Sequence, residues 1–394
     1  MSTVAESPSV ASSVAVTTPV AKPTERLVSI DALRGFDMFW IIGGEGFVIA
    51  WAKFLSQFSH LRSTPKLVEE LENQLNHVPW EGFHFLDLIF PLFLFIVGAV
   101  LPFSLGKIQE QGGATRALYF RVARRALSLF ALGLLYNGFL RFDFPNLRVA
   151  GVLQRIALGY FFAALLTLRF RVRTLAFIVV GILLGYWALL SFVPAPGFKA
   201  GDLSREGNLA GYVDRHLLPG KIYPAYYGLG DNEGILSTIP AVATALLGVL
   251  AGYWLRSSNS SWLKALGLTL AGLASLGLGY AWGMIFPMIK ILWTSSFVLF
   301  AGGWSLLLLA LFYTVIDVLK FRKWAFFFVV IGMNAITIYV GRNLIDFRKI
   351  AAFFFQGLST HTGTFGSVVM PTGILLVEWL FLWYLYRQKT FLRV

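Results

Sequence analysis

The chain has 394 residues, of which 57% are hydrophobic and 13% charged, with a mean hydropathy of +0.70. Soluble domains carry about 25% charged residues, so this composition excludes an ordinary soluble fold and predicts an all-α, polytopic membrane helix bundle. The net charge of +13 belongs to membrane edges rather than to nucleic acid, because no basic helix or stacking platform stands out. The absence of cysteine excludes disulfides, thiolate metal ligands and a cysteine nucleophile.

Residues 1–25 are rich in Ser, Thr, Val, Ala and Pro and lack the basic start and continuous apolar core of a signal peptide. They read as a disordered tail, followed by one transmembrane domain over 26–394. Ten membrane helices are expected, at about 28–52, 84–106, 122–140, 149–168, 174–193, 235–255, 263–286, 293–318, 325–341 and 367–387. Lys and Arg set the orientation. With the N-terminus in the cytoplasm, nineteen fall in cytoplasmic segments, thirteen in outer segments and Arg155 inside a span. Both termini are then cytoplasmic, and the loops at 53–83, 194–234 and 342–366 face outward. No internal repeat is visible, which weakens an inverted-repeat transporter reading.

Ionisable groups inside spans face a bundle interior or a cavity. Asp31, Arg34 and Asp37 lie near one face of the first helix at its inner end, with Asp31 and Arg34 read as a structural pair. Glu45 sits in "GGEG" toward the outer end. His84 and Asp87 open the second span, where Asp87 suits a helix start and could equally partner Arg155 or a histidine. Gln154 and Arg155 lie within the fourth span, and Arg155 needs an acidic partner from another helix. Glu378, in the tenth, reads as structural. His84 reads as a hydrogen-bonded packing residue. His77 lies in a loop before Pro79-Trp80, where its ring can point into an outer cavity, and a histidine's ordinary pKa of about 6.5 suits general-base work. No histidine spacing points to a metal.

Seven stretches in order, "RLVSIDALRGFD", "HVPWEGFHFLDLIFPLFLFIVG", "LRVAGVLQRIALGYF", "GYVDRHLLPGKIY", "GDNEGILSTIPAVATALLGVLAG", "LWTSSFVLFAGGWSLLLLALFY" and "GMNAITIYVG", resemble the heparan-α-glucosaminide N-acetyltransferase family of transmembrane acyltransferases, as a bacterial member. The resemblance runs from about residue 26 to the C-terminus. It implies transfer of an acetyl group from cytoplasmic acetyl-CoA to an amino sugar on the outer side of a bacterial inner membrane, and it implies a homodimer. It places the family's active-site histidine on His77. Two departures stand out. The family's asparagine after the first helix is missing from "WIIGGEG", and Arg342 stands where a histidine follows "YVG".

On this reading His77 is the general base or acyl carrier and Asp87 orients its ring. The anionic donor would be held by Arg124, Arg125, Arg34, Gln154 and Arg155, with Arg155 also suited to the oxyanion. The acceptor would meet Glu45, Trp80, Asp231 and Glu233. The alternative is an inner-membrane transporter of N-acetylglucosamine or a related sugar, since some bacterial relatives are described as such.

Overall fold

The computed structural model describes residues 27–58, 64–110, 115–223, 226 and 228–392. The expected tail, His60 and part of the aromatic loop at 224–227 lie outside the described residues. Apolar runs whose backbone groups have no water to bond must satisfy them internally, and the regular elements among the described residues are all helices, without strands. In order, the helices are α1 (Val28–Phe39), α2 (Glu45–Ser56), α3 (Thr64–Gln74), α4 (Phe85–Glu110), α5 (Arg116–Tyr136), α6 (Val152–Arg169), α7 (Val172–Phe192), α8 (Leu209–Leu217), α9 (Thr238–Arg256), α10 (Ser261–Gly283), α11 (Ser295–Phe312), α12 (Ala325–Met333), α13 (Ala335–Leu344), α14 (Phe347–His361) and α15 (Gly366–Arg387).

Among the described residues, eight helices are long and apolar enough to cross a membrane, α1 and α2 counting as one, and nine if the bent pair α12–α13 is a single span. The remaining expected span, the third at about 122–140, is α5, a full-length helix whose first half carries Arg116, Arg121, Arg124 and Arg125. The chain is a multi-pass membrane protein. Helices α4 and α9 form the centre, buried along most of their length, while α7 and α10 turn rows of Phe, Leu and Val outward.

The α4–α9 seam is built on small residues. A Cβ on Gly98 would run into the Ala245 carbonyl, and one on Gly248 into the Phe95 carbonyl. In a bilayer such close approach supplies the van der Waals contact that a hydrophobic effect between helices cannot. Glycines 272 and 303 do the same between α10 and α11.

Two expected helices are interrupted. The first span breaks in a π-type turn over Trp40–Gly44, where Gly43 takes φ +107°, a conformation that favours glycine. Below the break α1 packs on α12; above it α2 packs on α15. The ninth breaks at Asn334, with 66° between α12 and α13. Arg342 ties the two breaks together by donating from Nη1 to the Ile41 carbonyl at 2.8 Å, and its Nε lies 2.9 Å from Glu378 Oε1.

Candidate active site

The site lies at the end of the bundle where α4, α6, α9 and α11 begin. Asp87 is the third residue of α4, so its carboxylate can reach back to its own helix start. Its Oδ2 accepts the backbone N–H of His84 at 3.1 Å and of Val78 at 3.3 Å. Its Oδ1 lies 2.8 Å from His77 Nδ1 and accepts from Lys290 Nζ at 3.1 Å. The carboxylate is fully buried, while the His77 side chain is 57% exposed. A buried anion holding an exposed ring by Nδ1 leaves Nε2 available to a substrate.

The loop carrying His77 is fixed at both ends. Gln74 Oε1 accepts the Phe85 N–H at 3.1 Å, and His84 Nδ1 lies 2.9 Å from the Asn76 carbonyl. Across from it, Gly82 N–H donates to the Met288 carbonyl at 2.9 Å, and Glu81 pairs antiparallel with Ile289. This backbone stitch brings Lys290 beside His77. The Lys290 loop is itself rigid: Thr294 Oγ1 accepts from Ile289 N at 3.1 Å and donates to the Pro287 carbonyl at 2.9 Å. Burial pushes the Lys290 ammonium below its ordinary pKa, against the Asp87 carboxylate, which favours the charge.

His77, Asp87 and Lys290 border a cavity of about 560 Å³, within the usual range for small-molecule sites. Its walls combine Met38, Phe90, Phe93, Ile156 and Trp293 with the polar groups Glu45, Asn232, Glu233 and Tyr223. Trp80 and Tyr226 stand 5.2 Å apart at its edge, Arg205 lies over the Trp80 ring at 5.6 Å, and the indole N–H donates to the Leu203 carbonyl at 3.0 Å. Both broken spans reach the cavity, through Ile41 and Glu45 on one side and Ile336 and Tyr339 on the other.

Of the residues predicted from the sequence, His77, Asp87, Glu45, Trp80 and Glu233 meet at this cavity. Asp231 does not: its carboxylate takes Arg148 at 2.9 and 2.6 Å and the Tyr223 N–H at 3.2 Å, and is fully buried. Arg148 also bonds Glu233 and lies 4.2 Å over the Tyr223 ring; the two carboxylates hold its proton above the usual arginine range. Arg155 does not reach the wall either. Its guanidinium sits 4.9 Å from the Trp293 ring, and Trp293 forms the wall. Contrary to expectation its hydrogen bonds go to no acid but to Ser237 Oγ and the Gly234 carbonyl. Its Nε and Nη1 have no hydrogen-bond partner among the described residues, nor does Gln154 Nε2, and Gln154 fills the space between Gly133 and Gly151. Arg34, Arg124 and Arg125 lie apart from the cavity. Arg34 is held by Asp31 and the Gly332 carbonyl, Arg125 lies over Tyr160, and Arg124 is exposed. Arg124 precedes the cavity end of α5 by twelve residues, roughly 18 Å along the helix.

Lys290, Arg148, Asn232 and Trp293 were missed. Lys290 is a single charge in the apolar stretch "FPMIKILW", and that isolation is the signal that could have found it.

The chain resembles two curated proteins of one name. Heparan-alpha-glucosaminide N-acetyltransferase of Homo sapiens is 28% identical over 377 residues, taking in 81% of this chain and 55% of the relative. That of Mus musculus is 28% identical over 377 residues, taking in 81% and 56%. The chain is thus similar to proteins named heparan-alpha-glucosaminide N-acetyltransferase. It spans little more than half the length of the relatives it matches. No family model matches it.

Proposed function

We propose that this protein is a transmembrane N-acetyltransferase that moves the acetyl group of acetyl-CoA to the amine of an amino sugar, in the inner membrane of a bacterium. The observation that carries the reading is the His77–Asp87 pair at the mouth of a cavity lined by apolar, aromatic and acidic side chains, in a chain similar to N-acetyltransferases. With Nδ1 turned to Asp87, His77 Nε2 takes the proton from the acceptor amine as its nitrogen attacks the thioester carbonyl. The C–N bond forms, the tetrahedral adduct collapses, the C–S bond breaks, and the proton passes to the departing thiolate. Trp80 and Tyr226 offer stacking faces to a sugar ring, and Glu45 and Glu233 offer carboxylates to its ammonium or hydroxyls. Arg155 acts from behind Trp293, fixing the wall rather than touching the oxyanion.

The donor's phosphates fit the arginines of α5 at the opposite, cytoplasmic end, with the thioester reaching the cavity between helices. Reversing both charges in Arg124→Glu/Arg125→Glu should raise the KM for acetyl-CoA at least tenfold and leave the acceptor KM in place.

The test of the whole reading is thiol release. The chain has no cysteine, so purified protein given acetyl-CoA and glucosamine reports CoA thiol without background. Acceptor-dependent release that is lost in His77→Ala supports the reading; release without acceptor points to an acyl-histidine or hydrolysis. One feature favours transport as a second reading, namely the two broken spans at a single cavity. Uptake of labelled N-acetylglucosamine into vesicles without acetyl-CoA would establish it.

A further inference from the structure

His77 meets two partners at one nitrogen. Nδ1 is 2.8 Å from Asp87 Oδ1 and 3.1 Å from Lys290 Nζ, and Lys290 Nζ is 3.1 Å from the same Oδ1. A ring nitrogen facing a carboxylate must carry hydrogen, while one facing an ammonium must offer its lone pair. Both cannot hold at once. We propose that Lys290 is a positioning residue that selects the tautomer of His77: with Lys290 on Asp87 alone, Nδ1–H donates to Asp87 and Nε2 is a base; with Lys290 donating to Nδ1, the hydrogen sits on Nε2 and the ring cannot take a proton there. The proposal rests on His77 acting as the base.

The contact is built into the fold. The stitch between Glu81–Gly82 and Met288–Ile289 sets the two loops in register, and Trp293, held at φ +53° by its N–H to the Lys290 carbonyl at 3.0 Å, closes the turn. Only 19% of the Lys290 side chain is exposed, so the ammonium has few places to go except Asp87 and His77. The other charges facing this group are Glu45 from α2, backed by Arg342 from α13; Glu233 from the loop before α9; and Arg205, which donates to the Pro79 carbonyl at 3.0 Å. Lys290 is the cation nearest the ring, so its removal changes the ring's surroundings more than any of these.

The experiment is ¹⁵N NMR of histidine-labelled protein in detergent, with the His77 ring assigned through His77→Gln, comparing wild type with Lys290→Met and Lys290→Arg. Wild type is expected to show both tautomers, Lys290→Met the Nδ1–H form alone, and Lys290→Arg the wild-type pattern. Should the methionine variant not fold, Lys290→Gln takes its place. Identical ring signals in wild type and Lys290→Met overturn the proposal, even if acetyl transfer is observed. Altered ring signals in a protein that transfers no acetyl group uphold the tautomer selection and refute the enzymatic reading instead.

Discussion

Asp87 makes four contacts with one carboxylate, two on each oxygen. Asp87→Asn preserves its size but puts an amide where Lys290 and His77 need an anion. The expected result is a fall in kcat of about 10²–10⁴-fold with the acetyl-CoA KM little changed, measured by thiol release. A second carboxyl at this end makes a separate prediction. Burial pushes Asp214 up to about 6, against the N–H groups of Ile235 and Asp231 that bond to it at 2.9 and 3.1 Å. The unfolded value is about 3.9, so the folded chain holds this proton more tightly. The stability from this group is therefore complete below about pH 4 and is lost as pH rises through about 6, a change of roughly 3 kcal/mol. Thermal melting across that range should show wild type losing stability and Asp214→Asn changing less; parallel curves would refute the assignment. The sequence shows part of this local chemistry. His77 and Asp87 lie ten positions apart around a helix start, close enough to be read together. Lys290 and Arg148 reach their partners only through loop pairing across 203 and 83 positions, which spacing along the chain does not encode.

The helices themselves are legible because a hydrocarbon solvent demands long apolar runs, and their starts follow from that. Their interruptions are not legible. "MFWIIGGEGF" and "VVIGMNAITI" are mostly apolar, and the lone Glu45 and Asn334 within them do not by themselves announce a change in direction. The glycines of the α4–α9 seam are similarly silent until the partner helix is known. Gly98→Leu would drive a side chain into the Ala245 carbonyl, at the central contact of the bundle. Overpacking of a tight core costs about 1–3 kcal/mol, so this variant should melt well below wild type in detergent, and Gly248→Leu should do the same from the other side of the seam. Gly181→Leu, on α7 with nothing within 4 Å of its Cβ position, should leave the melting temperature nearly unchanged. Equal losses at all three positions would show that the seam is not where the bundle is tight.

At the scale of the whole molecule, the cavity and the arginines of α5 belong to opposite ends, and the proposed reaction assigns those ends to opposite sides of a membrane. The lack of cysteine allows a direct test. A thiol at Asn146, exposed in the loop before α6 at the cavity end, and one at Ser258, exposed between α9 and α10 at the other, should label from opposite faces in intact cells. An impermeant maleimide is expected to reach Asn146→Cys and to miss Ser258→Cys; the reverse pattern would invert the orientation drawn from the basic loops. The break in the first span bears on the molecule's history as well as its shape. Met38, below the break, belongs to a half-helix anchored on α12, and Glu45, above it, to one anchored on α15. The lower half can stay under constraint from the bundle while the upper half drifts. A lineage could thus revise the polarity of one cavity wall, and with it the molecules admitted, by changes confined to a dozen residues, while the partners that hold the rest of the bundle together remain the same.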